Sequence, residues 1–109
     1  MAFDPELADR VRASLDGRTQ FDERAMFGGL AFMVGGHMAS GVLGDDLVLR
    51  LGPEGADEAL DRPGVRPMDF TGRPMKSYVY VAPDAVGGEA GLGEWLDRAL
   101  AFVSTLPPK

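Results

Sequence analysis

The stretch that most constrains the fold is residues 26–81, because glycine-rich breaks divide it into short apolar runs. Gly35-Gly36 and Gly44-Asp45-Asp46 separate three such runs, and a second pair of runs flanks residues 71–74. Short β-type runs joined by glycine turns are typical of antiparallel hairpins. We therefore expect a three-stranded meander followed by a hairpin. The first predicted strand begins at Arg24 or Ala25 and ends at Val34, and Gly28-Gly29 marks a bulge or a close backbone approach inside it. The other predicted strands are residues 37–43, 47–51, 65–70 and 76–81.

Three helices are expected around these strands. Asp4-Pro5-Glu6 has the residues that favour a helix start, and apolar residues then recur every four positions until Gly17. A shorter helix should begin at Pro53, and the apolar stripe from Leu92 to Leu106 predicts a long C-terminal helix. Residues 18–24 form a polar linker in this interpretation. The prediction is an α+β fold with two layers and a five-stranded antiparallel sheet, in the order α-β-β-β-α-β-β-α, over one domain of residues 1–109.

Composition excludes several classes of protein. The chain has 109 residues, no cysteine and a net charge of −6, so it has no disulfide framework and its charge disfavours non-specific nucleic-acid binding. Its longest apolar run, residues 30–34, is far shorter than the about 20 residues that a membrane-spanning helix needs. These features predict a cytoplasmic protein without a membrane contact.

The sequence contains no recognisable catalytic or metal-binding set. His37 is the single histidine and follows a glycine turn, where we expect its ring to reach solvent; the alternative is a pH-sensing contact at an interface. Asp45-Asp46 lacks the alternating carboxylate spacing of a calcium loop and is better explained as turn residues. We therefore expect no enzymatic activity, no metal and no cofactor.

One segment departs from the acidic balance. Arg62, Arg66, Arg73 and Lys76 stand against the single Asp69, which gives a local charge of +3. These cations could balance the acidic helices around them, or they could form an interaction edge for an acidic partner surface. The methionines of the strands could likewise be core filler or an adaptable binding surface.

Two sequence blocks resemble the N-terminal domain of the TfoX/Sxy family. They are Met-Phe-Gly-Gly-Leu-Ala-Phe-Met-Val at 26–34 and Met-Asp-Phe-Thr-Gly-Arg-Pro-Met at 68–75, and the likeness extends to Ala-Leu-Ala-Phe-Val at 99–103. The resemblance implies an antiparallel sheet flanked by helices and a role in the regulation of natural competence in bacteria. The founding regulators of that family also carry a second, C-terminal domain. The family supplies no catalytic residues to carry over.

Two functional hypotheses follow. The first is a regulatory or adaptor domain that acts through protein–protein contacts, in transcription regulation by resemblance, without direct sequence-specific DNA binding. The second is a small-ligand-binding protein or enzyme that uses the sheet face near Arg50, Asp69, Phe70, Arg73 and Tyr80. A homodimer through an exposed strand edge or through the Trp95 helix is compatible with either. The candidate interaction residues are Arg50, Arg66, Met68, Asp69, Phe70, Arg73 and Lys76.

Overall fold

Ten helices and strands follow one another in the computed structural model. It describes residues 3–26, 28–70 and 73–107, and it describes residues 69, 70 and 73–75 by their backbone alone. In chain order the elements are α1 (Pro5–Asp16), β1 (Asp22–Met26), β2 (Gly29–Val34), β3 (His37–Leu43), β4 (Asp46–Arg50), α2 (Gly52–Ala59), β5 (Val65–Phe70), β6 (Arg73–Val81), α3 (Pro83–Val86) and α4 (Glu89–Val103).

The strands form one sheet in the order β1-β2-β3-β4-β6-β5, and every neighbouring pair is antiparallel. The first four strands are a meander. Helix α2 then carries the chain past the position of β6 to the outer strand β5, and β6 returns between β5 and β4. The α+β class and the antiparallel sheet are confirmed.

The predicted number of five strands is wrong, because the described residues form six. Residues 22–26, expected to belong mostly to a polar linker, form β1 and pair with β2 from Asp22 opposite Met33 to Met26 opposite Gly29. Gly28 has a φ of +80°, a value that favours glycine. The expected bulge inside one strand is therefore a reversal between two.

The helix ends largely follow the sequence signals. The Asp4 side chain accepts a hydrogen bond from the Glu6 backbone N–H at 3.0 Å, and Pro5 occupies the first turn of α1. Helix α4 buries most of the predicted stripe, with Leu92 and Leu96 fully covered, but it ends at Val103, before the Leu106 that the prediction included. The four-residue α3, which begins at Pro83, was not expected; it packs Val86 under α4.

The buried apolar residues form two separate clusters. The first, the helix-side core, joins the helices to one face of the sheet, with residues such as Val11, Leu49 and Leu96. The second, the strand-only core, contains no helix residue among those described. It consists of Ala31, Met33, Met38, Val48 and Met68, with Leu43, Tyr78 and Tyr80 packed against it.

An ion pair connects the outer strand β1 with helix α1. The Arg12 guanidinium donates to both carboxylate oxygens of Glu23, and its Nη1 also contacts Asp9. The hydrogen bonds from Arg12 hold the pKa of the Glu23 carboxyl below its ordinary value. Glu23 is the one residue of β1 with an ion pair to α1 among the described residues, so this contact orients the edge of the sheet.

Substitution of Gly28 tests the reversal between β1 and β2. Gly28→Ala should lower the free energy of unfolding by about 1 kcal/mol or more, because alanine is strained at a φ of +80° although the site has open space. Gly17→Ala is the matched control, since Gly17 has a φ of −84° and room for a Cβ. Urea unfolding should show a loss for Gly28→Ala alone; equal stabilities would contradict the turn.

The Arg12–Glu23 pair should give a pH-dependent stability. A carboxyl with a lowered folded-state pKa stabilises the fold above its unfolded pKa, near 4.5, and loses that contribution as the pH falls through the folded value. Glu23→Gln should therefore cost up to about 1 kcal/mol at neutral pH, and the difference should vanish in acid. Glu58→Gln, which removes an exposed carboxylate without an ion pair among the described residues, should show no such convergence in thermal melts.

Candidate functional site

Strand β4 places polar residues on the sheet face opposite the helices. Leu47 and Leu49 belong to the helix-side core, so Val48 and Arg50 lie on the other face, since side chains alternate along a strand. On the neighbouring β6, Tyr78 is opposite Arg50 and Tyr80 is opposite Val48. The two tyrosines thus lie on the same face.

The Arg50 side chain is held by two aromatic rings. Its guanidinium carbon lies 5.5 Å from the centre of the Tyr78 ring and 5.8 Å from that of Phe102, near the end of α4. Its Nε is buried and has no hydrogen-bond acceptor among the described residues. The quadrupole of an aromatic ring attracts a guanidinium to the face of the ring. The two rings therefore contact the guanidinium where a hydrogen-bond acceptor could otherwise lie. Arg50 therefore links the C-terminal part of α4 to the open face of the sheet.

Arg66 forms a second contact of the same kind. It lies on β5 opposite Tyr80, with its guanidinium carbon 5.3 Å from the centre of that ring. Its Nη2 donates to Asp46 Oδ2 at 2.7 Å. About half of the Arg66 side chain is exposed, so the group is oriented and still accessible.

The two arginine–tyrosine pairs form one surface. Tyr78 and Tyr80 are two residues apart on β6, a spacing of about 7 Å along a strand. Both tyrosines pack against the strand-only core. We call Arg50, Arg66, Tyr78 and Tyr80 the arginine–tyrosine face. It presents two cations whose side chains are restricted by rings.

A groove of about 440 Å³ lies beside this face, between α2 and the β5–β6 hairpin. Met68, Lys76 and Tyr78 line its sheet side, and Glu54 and Asp57 lie on its helix side. Lys76 is exposed and makes no ion pair or hydrogen bond among the described residues. Neither Arg50 nor Arg66 lines the groove. These two arginines therefore do not share one cavity.

The structure brings together only part of the predicted interaction set. Arg50, Arg66 and Met68 share one face, with Met68 buried beneath it at 2% exposure, and Lys76 lies in the adjacent groove. Met68 is thus core and not exposed surface. The side chains of Asp69, Phe70 and Arg73 lie outside the described residues.

The basic segment is not a single patch. Arg62 lies over the Trp95 ring of α4, at 5.0 Å from its centre, away from the arginine–tyrosine face. The contributions of Asp46 and Phe102 were missed by sequence reasoning. The alternation of Tyr78 and Tyr80 was a usable signal for a shared face, whereas no local pattern connects Phe102 with Arg50.

His37 differs from its prediction. The expected solvent-exposed ring is 9% exposed, and its Nε2 lies 2.6 Å from the Pro107 carbonyl oxygen. The residues after α4 fold back over the start of β3 and cover it. Asp46 also departs from the turn role expected for it, since it begins β4 and binds Arg66.

The described residues contain neither a metal-binding cluster nor a membrane-spanning helix. No group of three or more histidine, cysteine, aspartate or glutamate side chains is close enough to hold a metal ion. None of the described helices is long and apolar enough to cross a membrane.

A double-mutant cycle tests the contact between Arg50 and Tyr78. Arg50→Met and Tyr78→Leu should show a coupling of about 1 kcal/mol in urea unfolding, because a guanidinium on a partly desolvated ring gains about 0.5–2 kcal/mol. A cycle of Arg50→Met with Tyr80→Leu is the control and should give near zero. Equal coupling in both cycles would contradict a specific Arg50–Tyr78 pair.

Comparisons with known proteins identify the family. A search of curated proteins finds no match. The family model of the TfoX N-terminal domain matches residues 13–103, which include both blocks of the resemblance, the arginine–tyrosine face and all of α4. The chain belongs to the TfoX N-terminal domain family.

Proposed function

We propose that this chain is a regulatory adaptor domain that acts in transcription regulation through protein–protein contacts. The observation that carries the proposal is the arginine–tyrosine face, two arginines that each lie against a tyrosine ring on the sheet side opposite the helix-side core. The family membership supports a regulatory role of the competence type.

The partner is a protein surface rich in carboxylates. Arginine binds carboxylates through two parallel hydrogen bonds, and arginine and tyrosine are enriched among the residues that dominate protein interfaces. Rings already restrict Arg50 and Arg66, so less side-chain entropy is lost when a partner binds. The exposed Lys76 adds a third cation beside them.

A protein partner is favoured over DNA. The chain has a net charge of −6, and phosphate binding depends on many cations acting together. The elements of the described residues place no recognition helix in a helix-turn-helix arrangement. The proposed role therefore depends on a protein partner and not on direct contacts with DNA.

Affinity capture from native extract tests the proposal. The double variant Arg66→Glu/Lys76→Glu should lose specific protein partners that wild type retains, because charge reversal repels a carboxylate-rich surface. Arg98→Glu is the matched control: Arg98 also pairs with an acidic residue, Glu94, and also lies over a ring, that of Trp95, but on α4. Capture should be compared with and without nuclease.

The outcomes separate the hypotheses. A partner that is retained by wild type and Arg98→Glu, lost by the double variant and unaffected by nuclease supports the proposal. Equal loss in both variants would show that the face is not the contact surface. A shift of DNA by the purified chain at physiological salt, or partners lost on nuclease treatment, would replace the protein-contact mechanism with nucleic-acid binding.

The groove beside α2 favours one alternative function, small-ligand binding or catalysis. It has a volume of about 440 Å³, and Lys76 and Tyr78 supply polar groups to it. Asp69 and Arg73 belong to the same hypothesis. A metabolite screen by thermal shift should then give stabilisation that Lys76→Ala abolishes while Arg98→Ala leaves it unchanged; an unresponsive screen would remove this alternative.

A further inference from the structure

The two outer strands of the sheet differ in how their free edges are protected. Strand β5 contains Pro67, which lacks a backbone N–H, and its pairing with β6 shifts register there. Strand β1 contains neither proline nor glycine, and all five of its side chains are exposed. Its backbone hydrogen bonds in the described part of the chain go to β2 alone. The β1 edge is therefore the one open to a further strand.

The charges along β1 are divided between the two faces of the sheet. Asp22 and Arg24 lie opposite Met33 and Ala31, which belong to the strand-only core, so both point to that side. Glu23 points to the helix side and binds Arg12. Neither Asp22 nor Arg24 makes an ion pair or hydrogen bond with another described residue. Within the described part of the chain, β1 thus carries one anion and one cation without an ion-pair partner, two residues apart on one face.

We propose that two copies of this chain associate through the free edges of β1, in antiparallel register about a two-fold axis. The axis is perpendicular to the sheet, so one residue of β1 must lie opposite its own copy. Residues that lie opposite each other in an antiparallel pair point to the same face. Any of the five residues of β1 could take that place, but only the registers centred on Glu23, Arg24 or Ala25 pair at least three residues of each strand.

The charges of the β1 side chains favour the register centred on Glu23. That register places Asp22 opposite the partner's Arg24, and the symmetry produces this pair twice. The register centred on Arg24 would place two guanidinium groups against each other, and the one centred on Ala25 forms no opposite-charge pair. The two Glu23 carboxylates that meet at the axis are each already bound by an Arg12.

Analytical ultracentrifugation over a wide concentration range tests the proposal. Wild type should show a monomer–dimer equilibrium that weakens with added salt, because the new ion pairs are exposed. Asp22→Arg and Arg24→Asp should each raise the dimer dissociation constant by about tenfold or more, since each replaces two attractive pairs by two repulsive ones. Circular dichroism and thermal melts should show that both variants stay folded, because both positions are exposed.

The charge swap makes the test specific for the register. The double variant Asp22→Arg/Arg24→Asp should recover the wild-type dissociation constant, and a mixture of the two single variants should form a heterodimer. A wild-type chain that stays monomeric at all concentrations would overturn the proposal. So would dimerisation that the single variants leave unchanged or that the swap fails to restore, because the contact would then lie elsewhere.

Discussion

Strand β4 buries side chains on both faces of the sheet, and the helix-side core and the strand-only core both pack against it. Leu47 and Leu49 lie under the helices and Val48 lies in the strand-only core, each with 0% exposure. A strand with one solvent-exposed face could not fix the position of the helices relative to the strand-only core. The helix layer and the arginine–tyrosine face are therefore positioned by the same five-residue element, and a loss of packing on one side would displace the other.

The parts of the fold that follow from sequence are those in which a local pattern and the tertiary burial agree. The stripe of α4 and the cap of α1 by Asp4 are examples, because helix periodicity and capping act over a few residues. Strand β1 was missed for a physical reason. An edge strand whose five residues are all exposed shows no alternation of apolar and polar residues, so its sequence resembles a linker. Its position depends on β2 and on the Arg12 contact, neither of which is local.

The candidate site was predictable only in part, and the limit is again a matter of distance along the chain. An excess of arginine near residue 66 is visible in the sequence, and so is the tyrosine pair of β6. Which arginine meets which ring depends on the register of three strands, and β6 lies between β4 and β5 although it follows both in sequence. Burial of His37 depends on residues after α4 that return to β3. No pattern around residue 37 contains that information.

The arrangement of side chains on the open face of the sheet depends on Gly52, which lies in the backbone behind that face. This glycine begins α2 with a φ of +81°, and a Cβ added to it would lie 2.5 Å from atoms of the Phe102 ring. The same ring is one of the two that hold the Arg50 guanidinium. A side chain at position 52 would have to move the ring, and the arginine would lose one of its supports. The orientation of the partly buried Arg50 guanidinium thus depends in part on the absence of a Cβ atom at position 52.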